Sequence, residues 1–250
     1  MMLFLLAQIA VPPAPVTGPP APVEQRWENC VELAVGDPAS GIAEAERWKL
    51  ANGGFLAQQC LGMAYAAQRR WISAAGAFQN AAHEAEVARD IRASKYWAQA
   101  GNAWLAAADP AKARAALDAA LATGNLTGLE LGEAHLDRAR VLVASGDLGG
   151  ARADLDQAVL KAPGDPMAWL LSATLARRTG DLPLAQRHIK EAVTRAADDA
   201  SVQLEAGNIA AMSRDEAGAR AAWEKAAQLA PGTPQADAAR AALKQFDTPQ

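Results

Sequence analysis

The residues of this 250-residue chain best suited to metal chemistry are two cysteines and three histidines. Cys30 and Cys60 form no C-x-x-C pair, and His83, His135 and His188 lie far from them in the sequence. Structural zinc sites place cysteines and histidines in closely spaced pairs, which are missing from this set. We therefore expect no metal site and no cofactor.

Motifs for catalysis are also missing. The sequence contains neither a G-x-S-x-G nucleophile motif nor a G-x-x-x-x-G-K-[ST] phosphate loop. Asp198 and Asp199 form a carboxylate pair, but they stand at a predicted helix end, where solvated charges are typical. The sequence predicts that the protein is not an enzyme.

The two cysteines admit two interpretations. In an oxidising compartment, Cys30 and Cys60 can form a disulfide that closes a loop of about 30 residues, which stabilises the fold by about 3–4 kcal/mol. Alternatively, they are two buried thiols that pack as small apolar groups.

The amino-acid composition indicates the class of fold that positions the cysteines and histidines. Hydrophobic residues make up 51% of the chain but aromatic residues only 5%, so alanine and leucine must form the core. Small side chains suit closely packed helices, and residues typical of strands are scarce, so we predict an all-α fold. The net charge of −4 and the lack of a basic cluster argue against nucleic-acid binding.

A repeat of 34 residues organises the second half of the chain. Three units, 132–165, 166–199 and 200–233, follow one another without insertion. Two further units begin near 55 and 94, with a few extra residues that we expect to lengthen the second helix or the joint after it. Small residues recur at the eighth and twentieth positions and large ones at the twenty-fourth, and the first two units carry an aromatic residue at the eleventh. The packing residues of this pattern are Gly62, Tyr65, Ala74, Phe78, Gly101, Ala113, Ala139, Ala151, Ala173, Ala185, Gly207, Ala219 and Trp223.

This pattern resembles the tetratricopeptide repeat (TPR), over five units from 55 to 233. The resemblance implies a right-handed α-solenoid of antiparallel helical hairpins. We expect the small residues at positions eight and twenty to face one another where the two helices of a unit cross. The aromatic residues, including Trp104, should fill the wider gaps between units.

The segments on either side of the repeats complete the predicted domain organisation. Residues 24–54 indicate a degenerate helical hairpin, and 234–250 a capping helix followed by a polar tail. Asp37-Pro38 and Asp109-Pro110 are typical of helix N-termini.

Residues 1–23 differ from the rest of the chain. A short apolar run, Leu3–Val11, precedes a proline-rich linker that ends at Pro22. The run is too short to span a bilayer, which needs roughly 20 apolar residues, and it is similar to the core of a secretory signal. No Lys or Arg precedes it, and Gln8-Ile9-Ala10 is a poor cleavage site. We expect export to the periplasm or envelope, with a cytoplasmic protein carrying a disordered tail as the alternative.

The resemblance also implies a concave groove formed by positions two, five, nine and twelve of each first helix. Lys95, Ala98 and Glu133 occupy such positions. We select as groove residues Met63, Asn102, Leu105, Leu136, Arg140, Met167, Leu170, Thr174, Arg177, Leu204 and Asn208.

Two groups within this groove have distinct predicted roles. Leu136, Leu170 and Leu204 should accept an apolar peptide segment or a partner helix, unless each simply packs within its own helix. Asn102, Arg140 and Asn208 should bond the backbone or a carboxylate of the partner. No unit combines Lys at position five with Asn at position nine, so the clamp that some family members use for a C-terminal carboxylate is not indicated.

These observations predict a non-catalytic scaffold that binds a protein or peptide partner, and we expect it to act in the bacterial cell envelope. Two alternatives remain open: a structural array that associates with itself, and a regulatory or accessory subunit of an enzyme encoded elsewhere. The fold alone does not choose among them.

Overall fold

The computed structural model describes residues 22–246, which form thirteen α-helices and no strand. The signal-like run and nearly all of the linker lie outside the described residues. The helices are α1 (Pro22–Gly36), α2 (Pro38–Leu50), α3 (Gly54–Ala67), α4 (Trp71–Val87), α5 (Ala93–Ala106), α6 (Pro110–Ala122), α7 (Gly128–Ala144), α8 (Leu148–Lys161), α9 (Pro166–Arg178), α10 (Leu182–Arg195), α11 (Ala200–Met212), α12 (Glu216–Leu229) and α13 (Pro234–Phe246).

The helices pack as consecutive hairpins, α3 with α4 and so on to α11 with α12. First helices also contact one another from unit to unit, since α5 meets α7, α7 meets α9 and α9 meets α11. Helix α13 packs on α11 and α12 and buries Ala236 and Ala239 against them. The predicted all-α solenoid with a terminal capping helix is confirmed.

Aspartates at the helix N-termini fix where the second helices begin. The carboxylates of Asp109, Asp147 and Asp181 accept hydrogen bonds from backbone N–H groups in the first turns of α6, α8 and α10. Each cap satisfies a donor that a helix start leaves without a partner. These three aspartates therefore set the points at which α6, α8 and α10 begin.

The turn before each cap requires a left-handed residue. Gly146 and Gly180 adopt φ values of 83° and 84°, as glycine does readily. Arg69 and Arg214 adopt φ values of 57° and 63° at the corresponding turns, so the turn geometry persists without glycine.

Glycine at position eight admits a bulky neighbour. A Cβ atom on Gly62 would lie 2.6 Å from the ring of Phe78, and one on Gly101 would lie 2.5 Å from Leu117. Gly207 lies in the same way against the indole of Trp223. At these three glycines the atoms nearest to an added Cβ therefore belong to the large residue at position twenty-four. In two other units the small residues at positions eight and twenty are buried in one cluster, Ala139 with Ala151 and Ala173 with Ala185.

The aromatic residues divide into two groups. Phe78 and Trp223 lie against the glycine of their own hairpin. The prediction that these two residues fill gaps between units therefore leaves out their contact within the hairpin. Tyr65 packs against two hydrophobic clusters, and Trp104 shares a cluster with Leu126 of the joint after α6. These two residues do connect neighbouring units.

Extra residues between the first repeats are accommodated in two ways. Helix α4 extends to 17 residues, as expected for a longer second helix. Before the third unit, however, α7 begins at Gly128, four residues ahead of the predicted unit start at Gly132. The extension of a first helix was not predicted, and it adds Glu130 to the surface that α7 turns toward α5.

The first hairpin is tied to the repeats by covalent and packing contacts. The sulfur atoms of Cys30 in α1 and Cys60 in α3 form a disulfide of 1.95 Å. Within the hairpin, a Cβ on Gly41 would lie 2.7 Å from Cα of Ala34, so two small residues meet at this crossing. Among residues 22–246, no helix combines the length and apolar character needed to cross a membrane.

Candidate binding groove

The histidines take part in pairs that link helices. His135 and Arg138 of α7 both hydrogen-bond to Asp154 of α8, at 2.8 Å for His135 and 2.7 Å for Arg138. Arg138 also bonds to Asp118 of α6. Burial raises the pKa of Asp154, but the hydrogen bonds from Arg138 and His135 outweigh it and hold the pKa below its ordinary value. This cluster connects three helices.

A serine–histidine pair occurs between α9 and α10. The Ser172 hydroxyl lies 2.6 Å from Nδ1 of His188 and accepts a hydrogen bond from Arg152. Burial lowers the pKa of His188, and the cations Arg152 and Arg187 lower it further. Because Ser172 is completely buried, this pair has no open space for a substrate. No group of three or more metal-ligating side chains converges within 22–246.

The predicted row of groove leucines is wrong for two of its three members. Leu136 is 6% exposed and Leu170 is 5% exposed, and each belongs to a hydrophobic cluster that joins its own hairpin to the first helix of the next unit. Leu204 is half-buried against the cluster that contains Trp223. These leucines therefore pack within the solenoid.

The predicted polar groove residues already have partners. Asn102 donates to Asp137 at 2.8 Å, and Arg140 lies 3.2 Å from the other oxygen of the same carboxylate. Asn208 accepts a hydrogen bond from the indole of Trp223, which fixes the ring above Gly207. All three side chains therefore take part in hydrogen bonds within the fold, and their bonds to a partner stay a prediction.

The remaining groove residues are spread along the first helices. Met63 and Leu105 are half-buried against core clusters, whereas Met167 is 43% exposed. Thr174 bonds to the Leu170 carbonyl of its own helix. Arg177 of α9 forms a two-pronged ion pair with Glu205 of α11, at 2.6 and 3.1 Å, which joins neighbouring units.

A cavity of about 470 Å³, which we call the acidic cavity, opens between α3, α4, α5 and α7. Its apolar walls include Trp71, Phe78, Ala98 and Leu126. Its polar residues are Lys95, Gln99, Asn102, Glu130, Glu133 and Asp137. The volume lies in the range of about 300–1,000 Å³ that is typical of ligand pockets.

The negative charges of the acidic cavity come from three side chains on one face of α7. Glu130, Glu133 and Asp137 are three or four residues apart, so they share one face of the helix. Lys95 of α5 pairs with Glu130 at 2.6 Å. Burial raises the pKa of Glu133, and Asp165, Asp137 and Glu130 add to this rise while Lys95 opposes it. This face of α7 is therefore an electronegative wall.

A smaller cavity of about 180 Å³, here called the apolar cavity, lies one unit further along between α7 and α9. Val143, Leu171 and Leu175 form its walls, and Arg140 and Arg178 stand at its edge. Of the predicted groove residues, Arg140 and Thr174 line the apolar cavity and Asn102 lines the acidic cavity.

Several residues of the acidic cavity lie outside the positions that the repeat pattern implies. Lys95, Ala98 and Glu133 occupy implied groove positions, whereas Glu130, Gln99 and Asp137 do not. The spacing of Glu130, Glu133 and Asp137 was a readable signal of a carboxylate stripe. The cavity also depends on the early start of α7, which the repeat pattern does not predict.

Comparison with known families finds matches to the tetratricopeptide repeat over residues 98–166, 136–185 and 170–237. These overlapping segments together cover more than half of the chain. None of the curated proteins matches the sequence.

Several solved structures share the fold. PilF of Pseudomonas aeruginosa has a TM-score of 0.72 at 13% identity, and the alignment covers 88% of this chain and 99% of the PilF chain. PilW, a type IV pilus biogenesis factor, has a TM-score of 0.70 at 20% identity, covering 86% and 96%. YrrB, a TPR protein with an unusual peptide-binding site, has a TM-score of 0.60 at 18% identity, covering 80% and 96%. At these identities the likeness concerns the fold.

Proposed function

The chain belongs to the tetratricopeptide repeat family, and on that premise we propose that it is a non-catalytic scaffold that binds a segment of a partner protein along its first helices. The observation that carries the proposal is the acidic cavity, whose volume of about 470 Å³ lies between the first helices of three neighbouring units. A segment in this position would contact apolar walls and polar side chains together, as peptide ligands require. The peptide-binding site named for YrrB supports the same kind of role.

Site-specific photo-crosslinking in the native host tests this proposal. A photoreactive phenylalanine replaces Ala98, which lines the acidic cavity, and in a control variant replaces Ala153, which is exposed on α8. We expect a discrete adduct from position 98 and none from position 153. Absence of an adduct at 98, or equal adducts at both positions, would contradict partner binding in the cavity.

The mass of that adduct also separates the alternatives. An adduct of twice the mass of the chain would indicate self-association, whereas another mass would identify a different protein, including an enzyme that the chain regulates. A monomer at all micromolar concentrations in sedimentation would independently argue against a self-associating array.

We further propose that the protein acts in the cell envelope. The disulfide between Cys30 and Cys60 supports an oxidising compartment, and the signal-like run Leu3–Val11 supports export. Fractionation of a tagged protein with N-terminal sequencing tests this location. Recovery of cytosolic protein with Met1 intact would contradict it.

A further inference from the structure

The acidic cavity has one carboxylate that its neighbours leave unmatched. Both oxygens of Asp137 are engaged, by Asn102 and Arg140, and Glu130 pairs with Lys95. Glu133 lines the same wall, is exposed to solvent, and accepts no hydrogen bond within residues 22–246.

A second acceptor without a donor lines the same cavity. The side-chain oxygen of Gln99 on α5 is buried and receives no hydrogen bond from the described part of the chain. Buried acceptors are normally satisfied, and an unsatisfied one is unfavourable. Both groups can accept hydrogen bonds, and neither acceptor has a donor, so the cavity is complementary to a ligand rich in donors.

The charges around the cavity specify the ligand further. Three carboxylates line the cavity, those of Glu130, Glu133 and Asp137, against the single ammonium group of Lys95, so the lining carries a net negative charge. A cation would offset this charge. The apolar surfaces of Phe78, Ala98 and Leu126 suit the methylene stem of a long side chain.

We propose that the acidic cavity binds a lysine or arginine side chain of the partner segment, whose cationic head pairs with Glu133 and, after rotation of Gln99, with its amide oxygen. The inference rests on the proposed function and adds the chemistry of the partner. Arginine has five N–H donors and can serve both acceptors at once, so it is the better ligand of the two.

The test begins with the full chain and a phage-displayed library of random twelve-residue peptides. We expect selected peptides to share arginine or lysine at one position. Selected peptides without a basic residue, if they lose binding to an Ala98→Trp variant, would overturn this inference and leave the proposed function standing. Failure to select any peptide would count against both.

A double-mutant cycle then tests the assigned contact. The affinity of the best peptide is measured by fluorescence anisotropy, alongside the same peptide with citrulline, the uncharged isostere, in place of arginine. We expect Glu133→Gln, or the citrulline peptide, to weaken binding about tenfold, and the two changes together to weaken it no more than either alone. Glu224→Gln, at an exposed site on α12, should leave the affinity unchanged.

Additive losses would overturn the contact, because Glu133 would then act independently of the cationic side chain. Equal loss from Glu224→Gln would also overturn it, because the effect would then come from net charge alone. Circular dichroism verifies that each variant is folded.

Discussion

Helix α7 presents charged side chains to α8 on one side and to α5 on the other, and the two sides differ in how those charges are matched. Toward α8, His135 and Arg138 both bond to the buried carboxylate of Asp154. Toward α5, Glu133 faces the side-chain oxygen of Gln99 across the acidic cavity, and neither receives a hydrogen bond from residues 22–246.

The difference separates charges that build the solenoid from charges that remain available to a ligand. A buried carboxylate is tolerated only with partners, so the side toward α8 is complete in itself. The side toward α5 is open to solvent, and the Glu133 carboxylate receives no hydrogen bond from residues 22–246, so it is available to a cationic ligand. Substitutions on the two sides should therefore have effects of different size and sign.

The largest effect is expected for Asp154→Ala. The change leaves Arg138 and His135 without their shared acceptor in a buried site, so we expect a loss of about 3–5 kcal/mol in the free energy of unfolding. Urea denaturation followed by circular dichroism measures it. Asp156→Ala, on the same helix but 57% exposed, is the control and should change stability by about 1 kcal/mol or less. Equal effects would refute the distinction between structural and available charges.

A smaller effect on stability is expected from replacing glycines in the α3–α4 hairpin, and it should differ between a glycine in close contact and one in open space. Gly62→Ala places a Cβ 2.6 Å from the Phe78 ring, so we expect destabilisation of about 1–3 kcal/mol despite the better helix propensity of alanine. A Cβ on Gly76, in α4, meets no atom within 4 Å, and Gly76→Ala should stabilise by about 0.5–1 kcal/mol. Thermal melts compare the two. Destabilisation by both changes, or by neither, would contradict the packing described for position eight.

The smallest effect is the dependence of stability on pH. The pKa of Glu133 is raised in the folded chain, so its ionised form opposes folding at neutral pH. This cost disappears as the pH falls below 4.5, the ordinary pKa of a glutamate side chain. We expect Glu133→Gln to stabilise the fold by about 0.5 kcal/mol or less at pH 7 and not to stabilise it below pH 4.5. Asp154 has the opposite sign, since its lowered pKa gives stability that is present above its ordinary value of 3.8 and lost as the pH falls further. Parallel pH profiles for the two sites would contradict the comparison.

Much of the scaffold is readable from the sequence, because it depends on local spacing. The in-phase recurrence of small and large residues gives the hairpins, and the Asp caps give the starts of α6, α8 and α10. Sequence spacing indicates which residues share a helix face but not which large side chain fills the space between faces. The packing of Phe78 against Gly62 is a contact of this kind, and it was not predicted.

The site was less readable, because it depends on contacts between units. Leucine at position five is compatible with a groove or with a core, and the burial of Leu136 and Leu170 follows only from how closely neighbouring helices pack. The acidic cavity depends on the extra turn at the start of α7 and on the spacing between α5 and α7. Neither the extra turn nor the spacing follows from a 34-residue pattern.

The most direct test of the central claim is a nuclear magnetic resonance titration of the full, ¹⁵N-labelled chain with N-acetyl-arginine amide. We predict saturable shifts of the Gln99 side-chain amide and of backbone signals near Glu133, absent with N-acetyl-citrulline amide and abolished by Glu133→Gln. Equal shifts with the citrulline compound, or shifts confined to other helices, would contradict a cation site in the acidic cavity.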